Sequence, residues 1–516
     1  MGARLKATIF DYFAGQLSAN PDRVAYLYGD SIISLGEIDR RAGQCRSALR
    51  ALGVMPGDRV ALAMSDSPDL VVALLAVMGL GAIAVPCSTI VNSDELAHMI
   101  SDPQPRCVVV STDQLANFAA AKPALPSVPT VLTMGPAAPG DWIDLSAAAN
   151  TVLPSEPVPL DPESVAVILY TSGTTGHPKG AVHRHRDLPY VIEASGRGIL
   201  GLRPDDRIFS SARIFFSYGF SNSISFPLAF GATCILSSVR PTPQLIAEVF
   251  ARHHPTVFMG VPAIFRALLE YHRAGHALDT RGLRFCVSGG EKLAPQIFHD
   301  WKALTGTDIL DMIGTTEVMY GFISNRPGRI RPGSSGLPIP GYDVKLLDED
   351  GTVIEKAGRG NLFVRGPSIS SRYWNKPDKA APLQNGWLRT GDIYRRDDDG
   401  YYFFEGRSDD LFKSSGLWVS PTEVEDALCD HPAVLEAAVV SLPDDDGGFA
   451  SVAHVVLRAG WARDDATAEA IEAHAAGVLP RHKRPRSVRF VDTLPRTATG
   501  KIQRFKLREA FALETT

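Results

Sequence analysis

Val165-Ala166-Val167-Ile168-Leu169-Tyr170-Thr171-Ser172-Gly173-Thr174-Thr175-Gly176-His177-Pro178-Lys179-Gly180 is the stretch on which the reading of this chain turns. Its first five residues form a short, β-branched apolar run, which predicts a buried strand. Four hydroxyl residues, three glycines and one lysine follow. Glycine lets main-chain amides approach an anion, hydroxyls donate hydrogen bonds, and Lys179 adds a point charge. The stretch reads as a strand running into a phosphate-gripping loop. It is not the P-loop of the NTPases, because Lys179 follows Pro178 and no Ser or Thr comes after it. On composition alone, a plain solvated turn would be the commoner reading.

Upstream, helical and strand patterns alternate. Leu35 to Leu52 and Leu70 to Leu80 have helical character, whereas Arg59 to Met64, Ala82 to Pro86 and Cys107 to Ser111 read as strands. This alternation predicts α/β layering on a largely parallel sheet. Residues 135 to 160, rich in Pro, Ala and Gly, read as a surface connection. Downstream, Arg207 to Ala212 and Leu283 to Ser288 are predicted strands, the latter ending in Gly289-Gly290-Glu291. Ile309 to Ile313 leads into Gly314-Thr315-Thr316-Glu317. Both small-residue turns fall at C-terminal strand ends, where open α/β sheets bind ligands. A carboxylate beside a hydroxyl, opposite a triphosphate grip, suits Mg²⁺, although a lone Thr-Glu pair is more often a helix cap. Phe215-Phe216-Ser217-Tyr218-Gly219-Phe220 is an aromatic cluster of a kind that more often packs a core.

At 516 residues the chain is too long for one ordinary core. The composition changes at Gly406-Arg407-Ser408-Asp409-Asp410, which predicts domains of residues 1–408 and 409–516. The second has the pattern of a small α+β unit, with helices over Pro421 to Asp430 and Ala466 to Val478 and strands over Leu435 to Ser441 and Val452 to Leu457. Residues 481 to 508 are basic, which predicts contact with a polyanion such as a phosphorylated cofactor.

The net charge of -5 argues against a nucleic-acid partner. The six scattered cysteines show neither zinc spacing nor a disulfide framework, as expected in a reducing compartment. No signal-peptide pattern stands at the start, and the apolar run Leu70 to Val85 is too short and too interrupted for a membrane span. A cytoplasmic protein without a membrane partner is expected. The oligomeric state is left open, a homodimer included.

Together, the phosphate loop, Gly289-Gly290-Glu291, Asp311 to Glu317, Thr390-Gly391-Asp392, Gly406 to Asp410 and Pro495-Arg496-Thr497-Ala498-Thr499-Gly500-Lys501 resemble the signature set of the adenylate-forming enzymes, in that family's order. The resemblance implies a large N-terminal layered α/β domain with a small mobile C-terminal α+β lid. It also implies ATP, Mg²⁺ and coenzyme A, and a carboxylate activated as acyl-AMP before transfer to a thiol. By matched position, Thr171, Ser172, Gly173, Thr174, Thr175, Gly176 and Lys179 would hold phosphates. Thr316 and Glu317 would serve catalysis, with Glu317 on Mg²⁺, and Asp311, Ile313, Gly314 and Thr315 would line the adenine site. Asp392 and Arg407 would meet the ribose, Asp409 would be the hinge, and Lys501 the adenylation lysine. Many relatives carry an aromatic residue on adenine where Ile313 stands.

Ser217-Tyr218-Gly219, Asp311 to Glu317 and Lys413-Ser414-Ser415-Gly416-Leu417-Trp418 are similar to the benzoate-CoA ligase branch. There Tyr218 and Gly289 would wall an aromatic-acid pocket, Lys413 would meet the substrate carboxylate, and Gly416, Leu417 and Trp418 would line the pantetheine tunnel. Benzoate ligases usually carry Ala where Ser217 stands and His where Tyr320 stands. Both changes add hydroxyls at the expected ring site, which directs the expectation to substituted benzoates, 2-aminobenzoate first. Two alternatives stay open: an aryl-adenylating enzyme that loads a carrier protein, and a non-catalytic binding protein of the same fold.

Overall fold

The apolar runs between residues 59 and 184 form one seven-stranded sheet. Its strands lie in the order Ile143–Asp144, Thr130–Met134, Cys107–Ser111, Arg59–Ala63, Ile83–Pro86, Val165–Thr171, Lys179–Arg184. All neighbours are parallel except the last pair, an antiparallel hairpin. The computed structural model describes residues 7–135, 140–171, 178–376, 383–414, 417–443, 449–496 and 502–514. Parallel strands are covered on both faces, hence the unbroken apolar runs such as Cys107 to Ser111.

The apolar run from Leu70 becomes the helix Pro68–Gly79, opened by the Ser67 hydroxyl accepting the Leu70 amide and by proline in the first turn. Every residue from Leu70 to Gly79 is buried, so the helix is apolar all round because it is a core helix. Among the described residues no helix is long and apolar enough to cross a membrane.

A second sheet of nine strands has a parallel centre, Thr233–Leu236, Arg207–Ser210, Val257–Gly260, Phe285–Ser288 and Ile309–Gly314 in spatial order. Beyond Ile309–Gly314 the direction reverses into Gly321–Ser324 and Leu337–Pro338. An aromatic core including Phe209, Phe250, Phe258, Phe265 and Trp301 packs under this sheet.

One expectation is corrected here. Part of 135–160 is not a surface connection: Ile143–Asp144 is an edge strand, and Leu145–Asn150 is a helix with Leu145 fully buried. Asp144 caps that helix through the Ala147 amide, and the Ser155 amide donates to the Gly43 carbonyl. Alanines that suggested a linker are the small residues of a helix in contact with the Leu35–Ala51 helix.

By contacts the chain divides into two compact units, residues 1–343 with 364–388, and residues 344–363 with 389–516. The second contains the helices Pro421–Cys429 and Asp465–Val478 and the sheet Val434–Pro443, Phe449–Leu457, Ser487–Phe490 around its own apolar core. Several basic residues of 481–508 are neutralised inside it: Lys483 pairs with Glu423, Arg496 with Glu436, and Arg504 with Glu425 and Asp410. The polyanion surface expected from local charge is correspondingly smaller.

Candidate active site

In the first unit, Thr171 and Lys179 face each other across the antiparallel hairpin. Ser172, Gly173, Thr174, Thr175 and Gly176 lie outside the described residues. The Lys179 ammonium stands 5.6 Å from the centre of the Tyr373 ring, a cation–π distance. The Tyr373 hydroxyl donates to Glu317 Oε1 at 2.6 Å. Burial and the Glu317 carboxylate push the Tyr373 phenol up, so it is a neutral donor.

Glu317 reaches this position through a constrained turn. Gly314 pairs with Gly321, and a Cβ on Gly314 would lie 2.3 Å from the Tyr320 carbonyl, so only glycine permits the approach. The Thr315 hydroxyl accepts the Val318 amide and caps the short turn that carries Glu317. The Thr316 carbonyl takes a hydrogen from His183 Nε2 at 2.8 Å, which fixes that nitrogen as protonated. The Ser370 amide donates to the Glu317 carbonyl at 2.7 Å. Met319 then adopts a left-handed φ of 76°.

The third element is aromatic. Tyr218 stands with its hydroxyl 3.3 Å from the Val287 carbonyl and 3.4 Å from that of Gly260, so strand ends hold it. A Cβ on Gly289 would lie 3.3 Å from the Met312 side chain and 3.8 Å from the Tyr218 ring, so Gly289 stands beside that ring. Tyr320 packs beside Tyr218, ring centres 5.6 Å apart, and meets Phe226 edge-on at 5.0 Å. Ser217 is buried next to Tyr218. The Tyr320 hydroxyl does not point to water: it donates to Asn222 Oδ1 at 3.0 Å.

Asp311 lies one strand over, 5% exposed, and its Oδ1 has no hydrogen-bond partner among the described residues. Burial pushes its carboxyl well above the usual range, and the nearby Ser288 hydroxyl, Leu293 amide and Lys292 charge offset only part of that. A buried acceptor without a partner fits an N–H donor supplied by a ligand. Ile313 and Gly314 follow it, partly exposed.

In the second unit, Asp392 and Arg407 are paired residues of neighbouring antiparallel strands. Arg407 Nη1 donates to Asp392 Oδ1 at 2.7 Å and to the Thr390 carbonyl at 3.0 Å. Asp409 is exposed in the following turn. Lys413 pairs through its main chain with Trp418 in a hairpin that also holds the exposed Leu417. Gly416 and Lys501 lie outside the described residues.

Residues 13–374 match the model of the AMP-binding enzyme family, and residues 423–501 that of the AMP-binding enzyme C-terminal domain. The chain belongs to the AMP-binding enzyme family. It is 41% identical to a benzoate–CoA ligase of Thauera aromatica, over 96% of this chain and 94% of that protein. A crystal structure of an anthranilate CoA ligase with anthranoyl-AMP superposes with a TM-score of 0.93 at 36% identity, covering 99% of both chains. A benzoate CoA ligase from Burkholderia xenovorans superposes at 0.89 with 36% identity, covering 97% of this chain and 99% of that one.

Within this AMP-binding fold, three residues carry parts of the site that sequence reading passed over. Tyr373 lies in the irregular stretch Ser370-Ser371-Arg372-Tyr373-Trp374 and gives no local signal. His183 follows the phosphate loop in Lys179-Gly180-Ala181-Val182-His183, where strand alternation would have faced it inward. Asn222 had the clearest signal, a polar run Ser221-Asn222-Ser223 between Phe220 and Phe226, too polar for the apolar helix around it.

Proposed function

We infer that this chain is an AMP-forming aryl-CoA ligase: it joins an aromatic carboxylate to ATP, giving acyl-AMP and pyrophosphate, and passes the acyl group to coenzyme A. The observation that carries this is the juxtaposition, at the ends of the nine-stranded sheet, of the Tyr218–Tyr320 pair with the turn bearing Glu317. A carboxylate is a poor acyl donor because its leaving group would be oxide. Adenylation replaces that group with AMP, and positive charge must meet the charge that spreads over the α-phosphate.

The chain's own groups divide this work. Lys179 and the loop before it grip the phosphates. Asp311 offers its unpartnered oxygen to the adenine amine, and Asp392, held by Arg407, accepts from the ribose. Lys501 supplies an ammonium at the reacting phosphate, and Asp409 is the hinge between the two half-reactions. Tyr218, Gly289, Ser217 and Tyr320 enclose the aromatic ring, Lys413 meets the carboxylate, and Gly416 to Trp418 take the pantetheine arm.

The donors fit Mg²⁺: Glu317 and the Thr316 hydroxyl are hard oxygens, and among the described residues no set of three His, Cys, Asp or Glu side chains converges. The remaining ligands would be phosphate and water oxygens, as Mg²⁺ prefers. Bound there, the ion would neutralise phosphate charge. The thiol acceptor has a pKa of about 8.5, so a useful thiolate fraction exists near neutrality without a dedicated base. The acid is a benzoate with a polar ring substituent, 2-aminobenzoate first, and the enzyme works in the cytoplasm.

Pyrophosphate release measured across substituted benzoates, with CoA or a phosphopantetheinylated carrier protein as acceptor, tests this. Benzoate-dependent release with CoA thioester formation is expected. Release without a CoA thioester, or none with any benzoate, overturns it.

A further inference from the structure

The aromatic pair is anchored by an unusual segment. Ser221–Ser225 is one π-helical turn, a rare winding often found at functional sites, and all five of its residues are buried although four are polar. Ser221 and Asn222 are both fully buried. The Ser221 hydroxyl reaches the Met319 carbonyl at 3.5 Å, and Asn222 holds the next residue, Tyr320.

The orientation of the Asn222 amide is fixed by its neighbours. Its Nδ2 donates to Ser210 Oγ at 3.1 Å. Ser210 spends its own hydrogen on the Ala212 carbonyl at 3.3 Å and accepts the Ala212 amide at 3.2 Å. The neighbouring Tyr218 phenol commits its own hydrogen to the Val287 or Gly260 carbonyl. A flipped amide would set its oxygen against the Ser210 oxygen, whose hydrogen is committed elsewhere. Oδ1 therefore faces Tyr320, and Tyr320 must donate to it. A phenol has one hydrogen, so the Tyr320 oxygen is left with acceptor capacity only.

We propose that Asn222 sets the hydrogen-bond polarity of the acyl pocket: it consumes the Tyr320 hydrogen and makes the pocket select aromatic acids whose ring carries an N–H or O–H donor. The inference rests on the aryl-acid reading and goes beyond it, because it excludes substituents of the same size that only accept or are apolar. Asn222 acts through Tyr320, as a positioning residue. Burial drives the Tyr320 phenol well above its ordinary range, so it keeps its hydrogen.

The experiment compares kcat/KM for CoA thioester formation with aminobenzoate and methylbenzoate at the 2-, 3- and 4-positions, since amino and methyl groups are nearly equal in size. In the unaltered protein the amino member is expected to lead by tenfold or more in at least one pair, and to lead the fluoro analogue at that position. Tyr320→Phe, which keeps the volume, should cut that ratio about tenfold. Asn222→Leu frees the phenol hydrogen to point inward, so the amino-to-fluoro ratio should fall by a similar factor. Ratios within one variant cancel any general loss of folded enzyme. Activity with benzoates but methyl or fluoro equal to amino at every position overturns the inference alone, as does a ratio unmoved in Tyr320→Phe. Inactivity with every benzoate removes the aryl-acid reading and this inference together.

Discussion

Glu317 owes its orientation to a phenol. The Tyr373 hydroxyl donates to one carboxylate oxygen, so the proposed Mg²⁺ would take the other, while the Ser370 amide and the Thr315 cap fix the backbone around it. A hydrogen bond to a charged group contributes about 1.5–3 kcal/mol. Tyr373→Phe should therefore raise the Mg²⁺ concentration needed for half-maximal pyrophosphate release about tenfold. An unchanged Mg²⁺ titration would remove Tyr373 from the site. Asp66 makes a second residue-scale prediction. It is buried, accepts the Ile214 amide at 3.2 Å and lies 3.8 Å from Arg213. Burial outweighs both and raises its carboxyl from 3.8 to about 6. The folded state thus holds this proton more tightly than the unfolded chain. The resulting stabilisation is complete below about pH 3.8 and is lost as pH rises through about 6, some 3 kcal/mol in all. Asp66→Asn lacks this dependence, so its stability relative to the parent should grow by about that amount between pH 4 and pH 7. Parallel denaturant midpoints across that range would refute the assignment. Neither residue announced itself in the sequence: both act through partners more than fifty positions away, Tyr373 on Glu317 and Asp66 on Ile214.

At the scale of elements, legibility followed period and punctuation. The Pro68–Gly79 helix and the strands Arg59–Ala63, Cys107–Ser111 and Ile309–Gly314 could be read from apolar runs bounded by Gly, Pro and Ser. The strand Val165–Thr171 was legible from its apolar run, but the strand Lys179–Arg184 was not, because Lys-Gly-Ala-Val-His-Arg has too few β-branched residues to declare itself. The π turn Ser221–Ser225 was illegible for a related reason: its polar side chains are stabilised by long-range bonds to Tyr320, Met319 and Ser210. Long-range pairing likewise hid the fate of the basic C-terminal stretch. Arg504 opens the helix Arg504–Glu514 and bonds Glu425, which also accepts the Val439 amide at 2.7 Å. Both side chains are mostly buried, and removing one member of such a pair costs about 3–5 kcal/mol. Arg504→Ala should therefore destabilise the second unit by about that much, read as faster hydrogen exchange over Pro421–Cys429. Exchange at the parental rate would mean that the pair contributes nothing net.

For the whole molecule, the decisive feature is that one chain builds two compact units, each with its own core. Asp311, Glu317, Tyr218 and Tyr320 belong to the first; Asp392, Arg407, Asp409 and Lys413 belong to the second, and the C-terminal family match ends on Lys501. A reaction in two steps can then use the second unit differently in each, which predicts opposite signatures for two substitutions. Lys501→Ala removes the ammonium proposed to act only where charge develops on the α-phosphate. It should abolish acyl-AMP formation, yet leave thioester formation from supplied acyl-AMP within a few-fold of the parent. Asp409→Pro fixes φ at the exposed turn and should hold one arrangement. Acyl-AMP formation should survive there, while thioester formation falls. Running both half-reactions on both variants separates this from simple damage, because a misfolded protein loses the two together. Equal loss of both half-reactions in Lys501→Ala would give that lysine a shared role. Full turnover in Asp409→Pro would reduce Asp409 to an ordinary turn residue and move the hinge elsewhere in the stretch between the two family matches, residues 375–422.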